Sequence, residues 1–154
     1  MLRRLLFFVS LLYITGCASS LGNRNALRIN SIDWPLAGLR TVISEILPGG
    51  QRAISPNGRE LLSRHFVLDG KTGYKEAGDA LNRYFAQILI LGDRRPYDIE
   101  ILVTQEKRVM KGQHYTFKVV GYDVRLAKEL ETKLRAELTK RREDLNIIDD
   151  FRVF

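Results

Sequence analysis

Two histidines, His65 and His114, a single cysteine, Cys17, and the adjacent acids Asp149 and Asp150 are side chains from which a reactive site could be assembled. A zinc centre needs three or four converging His, Cys or carboxylate ligands. The chain lacks such a set, so neither a metal nor any other cofactor is expected. A hydrolase needs a nucleophile, a base and a group that orients the base. Ser63 and His65 stand two apart in a stretch that reads as a strand, on one face but with side chains about 7 Å apart, beyond hydrogen-bond reach. On a strand the carboxylates of Asp149 and Asp150 point to opposite sides, which suits ion pairs better than shared proton chemistry. Gly49-Gly50, Gly70 and Gly73 lack the strand, glycine loop and Lys-Ser/Thr helix start that cradle a phosphate, and they read as turns. His114 falls on the polar side of a hairpin, solvated rather than ligating. The chain therefore reads as non-catalytic.

The cations say more. Arg94-Arg95-Pro96-Tyr97 places two guanidiniums, a rigid Pro and an aromatic ring in an exposed turn, a composition typical of contact hot spots. Lys140-Arg141-Arg142 closes a helix, where positive charge complements the negative end of the helix dipole. Serving the dipole is the plainer role of that cluster, and binding an anionic partner is the sharper one. Arg94, Arg95, Tyr97, Lys140, Arg141 and Arg142 are accordingly the candidate partner-binding residues. Trp34 belongs either to the core or to an interface, with the core favoured.

These residues sit in a chain of 154, with 25 Lys and Arg against 18 Asp and Glu, 45% apolar residues and 28% charged. Such a composition excludes a disordered tail, a collagen-like fibre and a disulfide-stapled miniprotein. The length suits one domain. At the N-terminus Arg3 and Arg4 precede an apolar run over residues 5–14, and the small residues Thr15 and Gly16 lead into Cys17. Charge, apolar run and small-residue close are the three parts of a secretory signal. The run is about half the ~20 residues that a membrane-crossing helix needs.

Ile14-Thr15-Gly16-Cys17 resembles the lipobox of bacterial lipoproteins. The resemblance covers the first 20 residues or so. It implies that Cys17 is diacylated through its sulfur and becomes the new N-terminus after cleavage. The only thiol in an exported chain has no disulfide partner, which agrees with its modification. Ala18, in place of Asp, implies by the same resemblance sorting to the outer membrane, with the protein facing the periplasm. Removing residues 1–17 takes away Arg3 and Arg4 and no acid, so the remainder keeps +5 of the full chain's +7.

The elements that position the candidate residues follow from pattern. Residues 18–33 are small and polar and read as a flexible tether, with a single periplasmic domain over 34–154. Asp33 is a suitable helix cap and Pro35 fits a first turn. Leu36, Leu39, Val42, Ile43, Ile46 and Leu47 recur at helical spacing until Pro48-Gly49-Gly50. Ser55-Pro56-Asn57-Gly58 suits a tight reversal between strands at 51–54 and 59–68. Tyr74, Ala77, Leu81, Tyr84 and Ile88 share a helical stripe, which predicts a helix over 74–85 capped by Thr72 and a short strand at 88–91. Tyr97, Ile99, Ile101 and Val103 alternate with polar neighbours, as do Tyr115, Phe117 and Val119 after a turn at 110–113. If both apolar sets share a face, Lys118 lies opposite Glu106 or Thr104. A long amphipathic helix over 124–145 turns Ala127, Leu130, Leu134, Leu138 and Leu145 inward, with Glu129–Lys133, Glu131–Arg135 and Glu137–Arg141 at ion-pair spacing. Asn146 ends it, and Ile147, Phe151 and Val153 suggest a closing strand.

The expected fold is α+β, a largely antiparallel sheet with helices packed on one face. The expected function is that of an outer-membrane-anchored adaptor or assembly factor for a cell-envelope complex. Its partners would be the membrane, through the N-terminal lipid, and envelope proteins or anionic envelope components, but no nucleic acid. A lipid or lipopolysaccharide carrier is the alternative and would need an apolar cavity between sheet and helices. A small envelope hydrolase would need a polar cleft holding His65 or His114.

Overall fold

A computed structural model describes residues 25–70 and 73–150. Its elements are β1 (Leu27–Ile32), α1 (Leu36–Ile46), β2 (Gln51–Ile54), β3 (Glu60–Ser63), β4 (Phe66–Asp69), β5 (Gly73–Glu76), β6 (Asn82–Leu91), β7 (Tyr97–Lys111), β8 (His114–Tyr122) and α2 (Val124–Asp150). The eight strands form one antiparallel sheet in the order β1-β7-β6-β3-β2, while β8 adds to β7, β4 to β6, and β5 to β4. With two helices beside it, the molecule is α+β.

Alternation on the two long central strands builds the core. Tyr97, Ile99, Ile101 and Val103 of β7 and Ala86, Ile88 and Ile90 of β6 are buried in one cluster with Leu39, Val42 and Ile43 of α1 and Leu126, Ala127, Leu130, Leu134 and Leu138 of α2. The 3.6-residue period of the helices meets the two-residue period of the strands over one face of the sheet. Because β6 holds one edge of β7 from Asp98 to Lys107, β1 and β8 must share the other edge end to end. β1 ends its pairing at Leu27 opposite Ile101, and β8 begins at Tyr122 opposite Thr104. No described helix is long and apolar enough to cross a membrane.

Several local expectations hold. α1 stops at Leu47, and Gly49 and Gly50 follow at positive φ. The 55–58 reversal closes with Gly58 N donating to Ser55 O at 2.8 Å, and Gly58 lies at φ +66°, the left-handed region that glycine enters without a Cβ penalty. Arg40 of α1 clamps this turn, donating from Nε to Gly58 O at 2.8 Å. Ala127, Leu130, Leu134 and Leu138 are inward, and Arg135 pairs with Glu131 at 2.9 Å.

Other expectations are corrected. Residues 27–32 of the expected tether are strand β1, since Ile29 alternates into the core while Arg28 pairs with Asp98 at 2.7 Å on the other face. Pro35, not Asp33, occupies the cap position of α1, and no side chain caps that end. Residues 74–85 form no helix: β5 and the start of β6 occupy them, with a turn between at Gly78, φ +47°. The five-residue helical stripe is fortuitous. Tyr84, Phe85, Ile88 and Ile90 are strand formers, and pairing with β7 fixes their period at two. The 59–68 stretch breaks at Arg64 and His65 into β3 and β4. α2 runs past Asn146 to Asp150, so Ile147, Asp149 and Asp150 are helical, not stranded. Glu129 pairs with Arg125 at 2.7 Å in place of Lys133, and Arg141 pairs with Glu45 of α1 in place of Glu137. The signal over 1–17 with Cys17, residues 18–24, Thr72, the Leu145 side chain, Phe151 and Val153 lie outside what is described.

The β7–β8 register also differs from expectation. A two-residue turn, Gly112-Gln113 with Gly112 at φ +64°, sets Lys111 opposite His114, so Lys118 faces Lys107 and Phe117 faces Arg108. Tyr115, Phe117 and Val119 therefore stand on the face opposite Ile99, Ile101 and Val103. The turn geometry outweighs the match of apolar sets, because a one-residue slip exchanges the faces of a whole strand. A bulge at Gln105 and Glu106 restores the other register at Thr104 and Tyr122.

Candidate functional site: a basic groove around Trp34

The end of β1 is bent by local chemistry. Ser31 adopts φ +59°, where a non-glycine residue is strained, and a register shift separates Ile29 from Ile32. Asp98 holds this bend: Oδ1 accepts from Ser31 N at 2.9 Å and Oδ2 from the Arg28 guanidinium at 2.7 Å. The Ser31 N–H, then Arg28, hold the Asp98 carboxyl below the usual carboxylate range. Bending carries Asp33 and Trp34 across the end of the sheet toward α2.

Trp34 is buried, 8% exposed, and sits on Gly38 of α1. A Cβ at position 38 would lie 2.6 Å from Trp34 Nε1 and 3.1 Å from Cδ1, closer than packed atoms approach. Gly38 is thus the seat that lets a full indole enter. Over the ring stands Arg142 of α2, its guanidinium carbon 5.9 Å from the ring centre, within cation–π range. Arg95 reaches from the turn after β6 to within 3.8 Å of Asp33. Between the bend and α2 runs an open groove of about 360 Å³ with Ile32, Trp34 and Leu138 as its apolar lining and Arg135, Arg142, Asp33, Ser31 and Thr139 as its polar lining.

The two basic segments thus meet in part. Arg142 lies over Trp34, Arg135 lines the groove while keeping its ion pair with Glu131, and Arg95 reaches only the rim, through Asp33. Arg94, Arg95 and Lys140 are exposed and do not line the groove. Arg141 is committed to Glu45. Tyr97 is a core residue, 7% exposed, beneath the Arg59 guanidinium at 5.7 Å, and cannot be a contact side chain. Its ring falls inward because β7 alternates from that residue onward. Asp33 and Glu131 temper three guanidiniums, whose flat, forked donors match carboxylate or phosphate oxygens. The groove can hold an anionic group beside an aromatic surface. It contains no nucleophile and base in contact.

A second constellation was not anticipated. His65, in the link between β3 and β4, lies on the sheet face turned away from the helices, where its ring meets Phe85 edge-on at 5.7 Å. Arg52 Nη1 is 3.4 Å from His65 Nε2, and Glu106 stands 3.5 Å from the same nitrogen. Arg83 already holds Glu106 at 2.7 Å and lies 3.4 Å over the Phe117 ring. Burial first, then the Arg83 and Arg52 charges, push the imidazole below its ordinary 6.5, so the Glu106 contact is not an ion pair near neutrality. Ser63 is elsewhere: it is buried on the helix side, accepting from Ala86 N at 2.8 Å and donating to Arg64 O at 2.7 Å. The expectation that Ser63 and His65 share a face fails because the strand breaks between them. Arg83 and Phe85 alternate outward along β6, a signal legible only once 82–91 is read as a strand. His114 is exposed at the hairpin tip, opposite Lys111.

Comparison of the chain with protein-family models, with curated proteins and with solved structures returns no match.

Proposed function

We propose that this protein is a lipid-anchored adaptor or assembly factor at the periplasmic side of the outer membrane, and that it holds an acidic segment of an envelope partner in the Trp34 groove. The observation that carries the reading is the placing of Arg135 and Arg142, two turns apart on α2, beside one seated tryptophan, with Arg95 of the β6–β7 turn at the rim through Asp33. An aromatic anchor with arginines beside it is the usual make-up of an interface hot spot. Confinement to one membrane raises the effective concentration of partners there, so a small groove suffices. Against the carrier alternative stands the packing. Sheet and helices close on a continuous apolar cluster, and three clefts among the described residues, about 360, 530 and 270 Å³, open at the surface with mixed linings.

The experiment is affinity capture from detergent-solubilised membranes. Arg135→Glu/Arg142→Glu should abolish recovery of the partner that the wild type captures, and Arg94→Glu/Arg95→Glu should weaken it through Arg95 alone. Unchanged recovery with both pairs refutes the groove as the contact. For the anchor, Cys17→Ser should release the protein from membranes, and the wild type should carry the mass of its acyl chains. Retention without that mass refutes lipidation.

A further inference from the structure

Where β6 begins at Asn82, opposite Lys107, β7 and β8 continue as a two-stranded arm, tied to the body near its root by Arg108, whose N donates to Leu81 O at 2.7 Å and whose Nη1 donates to Asp79 O at 3.1 Å. Residues 107–122 contain Lys107, Arg108, Lys111 and Lys118 and no acid. Apolar groups are bare on the same arm: Met110 is 72% exposed, Val119 55% and Tyr115 52%. The register puts Met110, Tyr115, Phe117 and Val119 on one face, with Arg108 over the Tyr115 ring, and Lys107, Lys111 and Lys118 on the other. Lys107 and Lys118 are directly opposite, a like-charge pair that costs the isolated fold stability and gains nothing within it. Such a pair calls for negative charge from outside the molecule.

The chain supplies the place. Leu27 pairs three residues along β7 from the point where β8 joins it, so the segment leading back to Cys17 leaves the body at the root of this arm. Eight peptide steps separate Cys17 from Asn25 and span at most about 28 Å fully extended. The arm, from Thr104 to Lys111, is about 23 Å long. An acyl group on Cys17 is therefore held within about 28 Å of Asn25, a reach comparable with the length of the arm.

We infer that the β7–β8 arm docks onto an anionic phospholipid surface, its Met110, Tyr115 and Val119 face at the headgroup boundary and its lysines reaching round to phosphates. This rests on the reading of Cys17 as the lipid anchor. The free edge of β8 needs water for its N–H and C=O groups, which keeps the arm at the headgroup level and out of the hydrocarbon. Flexible lysine stems cover apolar surface while their ammonium groups stay solvated. A second copy is disfavoured as the occupant because residues 107–122 hold no acid to answer the arm's four cations.

The test places the acylated full chain in vesicles of brominated phosphatidylcholine, with or without phosphatidylglycerol. Met110→Trp puts a fluorophore on the arm, and Trp34 of the otherwise wild-type chain is the reference. Emission from position 110 should be quenched in the phosphatidylglycerol vesicles while Trp34 is not. Lys107→Gln/Lys118→Gln should lower the docked-to-undocked ratio about 25-fold, since each basic residue near an anionic surface contributes about fivefold. Acylated protein that stays attached while position 110 remains unquenched overturns the docking and leaves the anchor intact. Quenching of position 110 when the unacylated Cys17→Ser chain is added to the same vesicles upholds the docking and separates it from the anchor. A photo-cross-link from position 115 to an acidic protein, without quenching, overturns the docking in favour of a protein surface.

Discussion

The two ends of β7 have the same alternation and opposite fates. At Tyr97–Val103 the inward residues lie under α1 and α2 and are buried, whereas Lys107 and Lys111, on the same side of the same strand, have no helix above them. The boundary is local. Asp123 N donates to Val103 O at 2.9 Å, and Asp123 then caps α2, its Oδ1 accepting from Leu126 N at 3.0 Å, so the helix starts there and runs back toward Trp34. A strand's pattern states which residues share a face; what covers that face is settled by where the next helix is launched. One end of the molecule becomes a core with a groove at its margin, and the other remains a bare charged ribbon.

The contrast breaks most clearly in the core. Ile101→Ala, at a fully buried position, should cost about 3 kcal/mol, and Val119→Ala, half exposed on the arm, less than about 0.5 kcal/mol, both read from denaturant midpoints. Equal costs would mean that the arm is packed after all. At the margin of the core, Gly38→Ala should destabilise by about 1–3 kcal/mol through overpacking against the indole. Its readout is a change in Trp34 emission together with the lost stability, and an unaltered spectrum would show that the ring is not seated on position 38. On the arm the sign should reverse. Lys118→Glu replaces a repulsive cross-strand pair by an attractive one and should raise stability by about 0.5 kcal/mol. It should do so while weakening vesicle docking, and a variant that gained both would separate the arm's charge from any membrane role.

The smallest effect is a pH dependence. The His65 imidazole titrates below 6.5 in the folded state, chiefly because burial disfavours its charged form. The unfolded chain therefore takes up the proton first, and stability present above 6.5 falls as pH drops through that value toward the folded-state one. His65→Gln should flatten this part of a stability-against-pH curve. An unchanged slope would assign it to other groups.

Much of the fold is written in short segments. α1 follows from apolar spacing and its breakers, α2 from apolar spacing although it runs past Asn146, and the turns at 55–58 and 112–113 from glycines that accept positive φ. The misread segments are those whose structure depends on a distant partner. Tyr74 to Ile88 satisfies a helical stripe, and only β7 turns part of it into a central strand. Leu27–Ile32 has too few apolar residues to announce itself, and its pairing with β7 supplies what the pattern lacks. Of the candidate site, the arginines and Trp34 are individually visible, but Tyr97 belongs to the core, and Arg135, half of the expected ion pair with Glu131, also lines the groove.

By itself, then, the sequence determined α1, the body of α2, the 55–58 turn, the charge of each segment and the signal-like pattern of residues 1–17, because each depends on residues within a few positions of one another. Tertiary structure alone decided which cations meet at Trp34, which face of β8 is bare and that Ser63 and His65 part company. Those outcomes depend on strand register and helix launch points, where a shift of one residue reverses a face and no local preference is strong enough to choose.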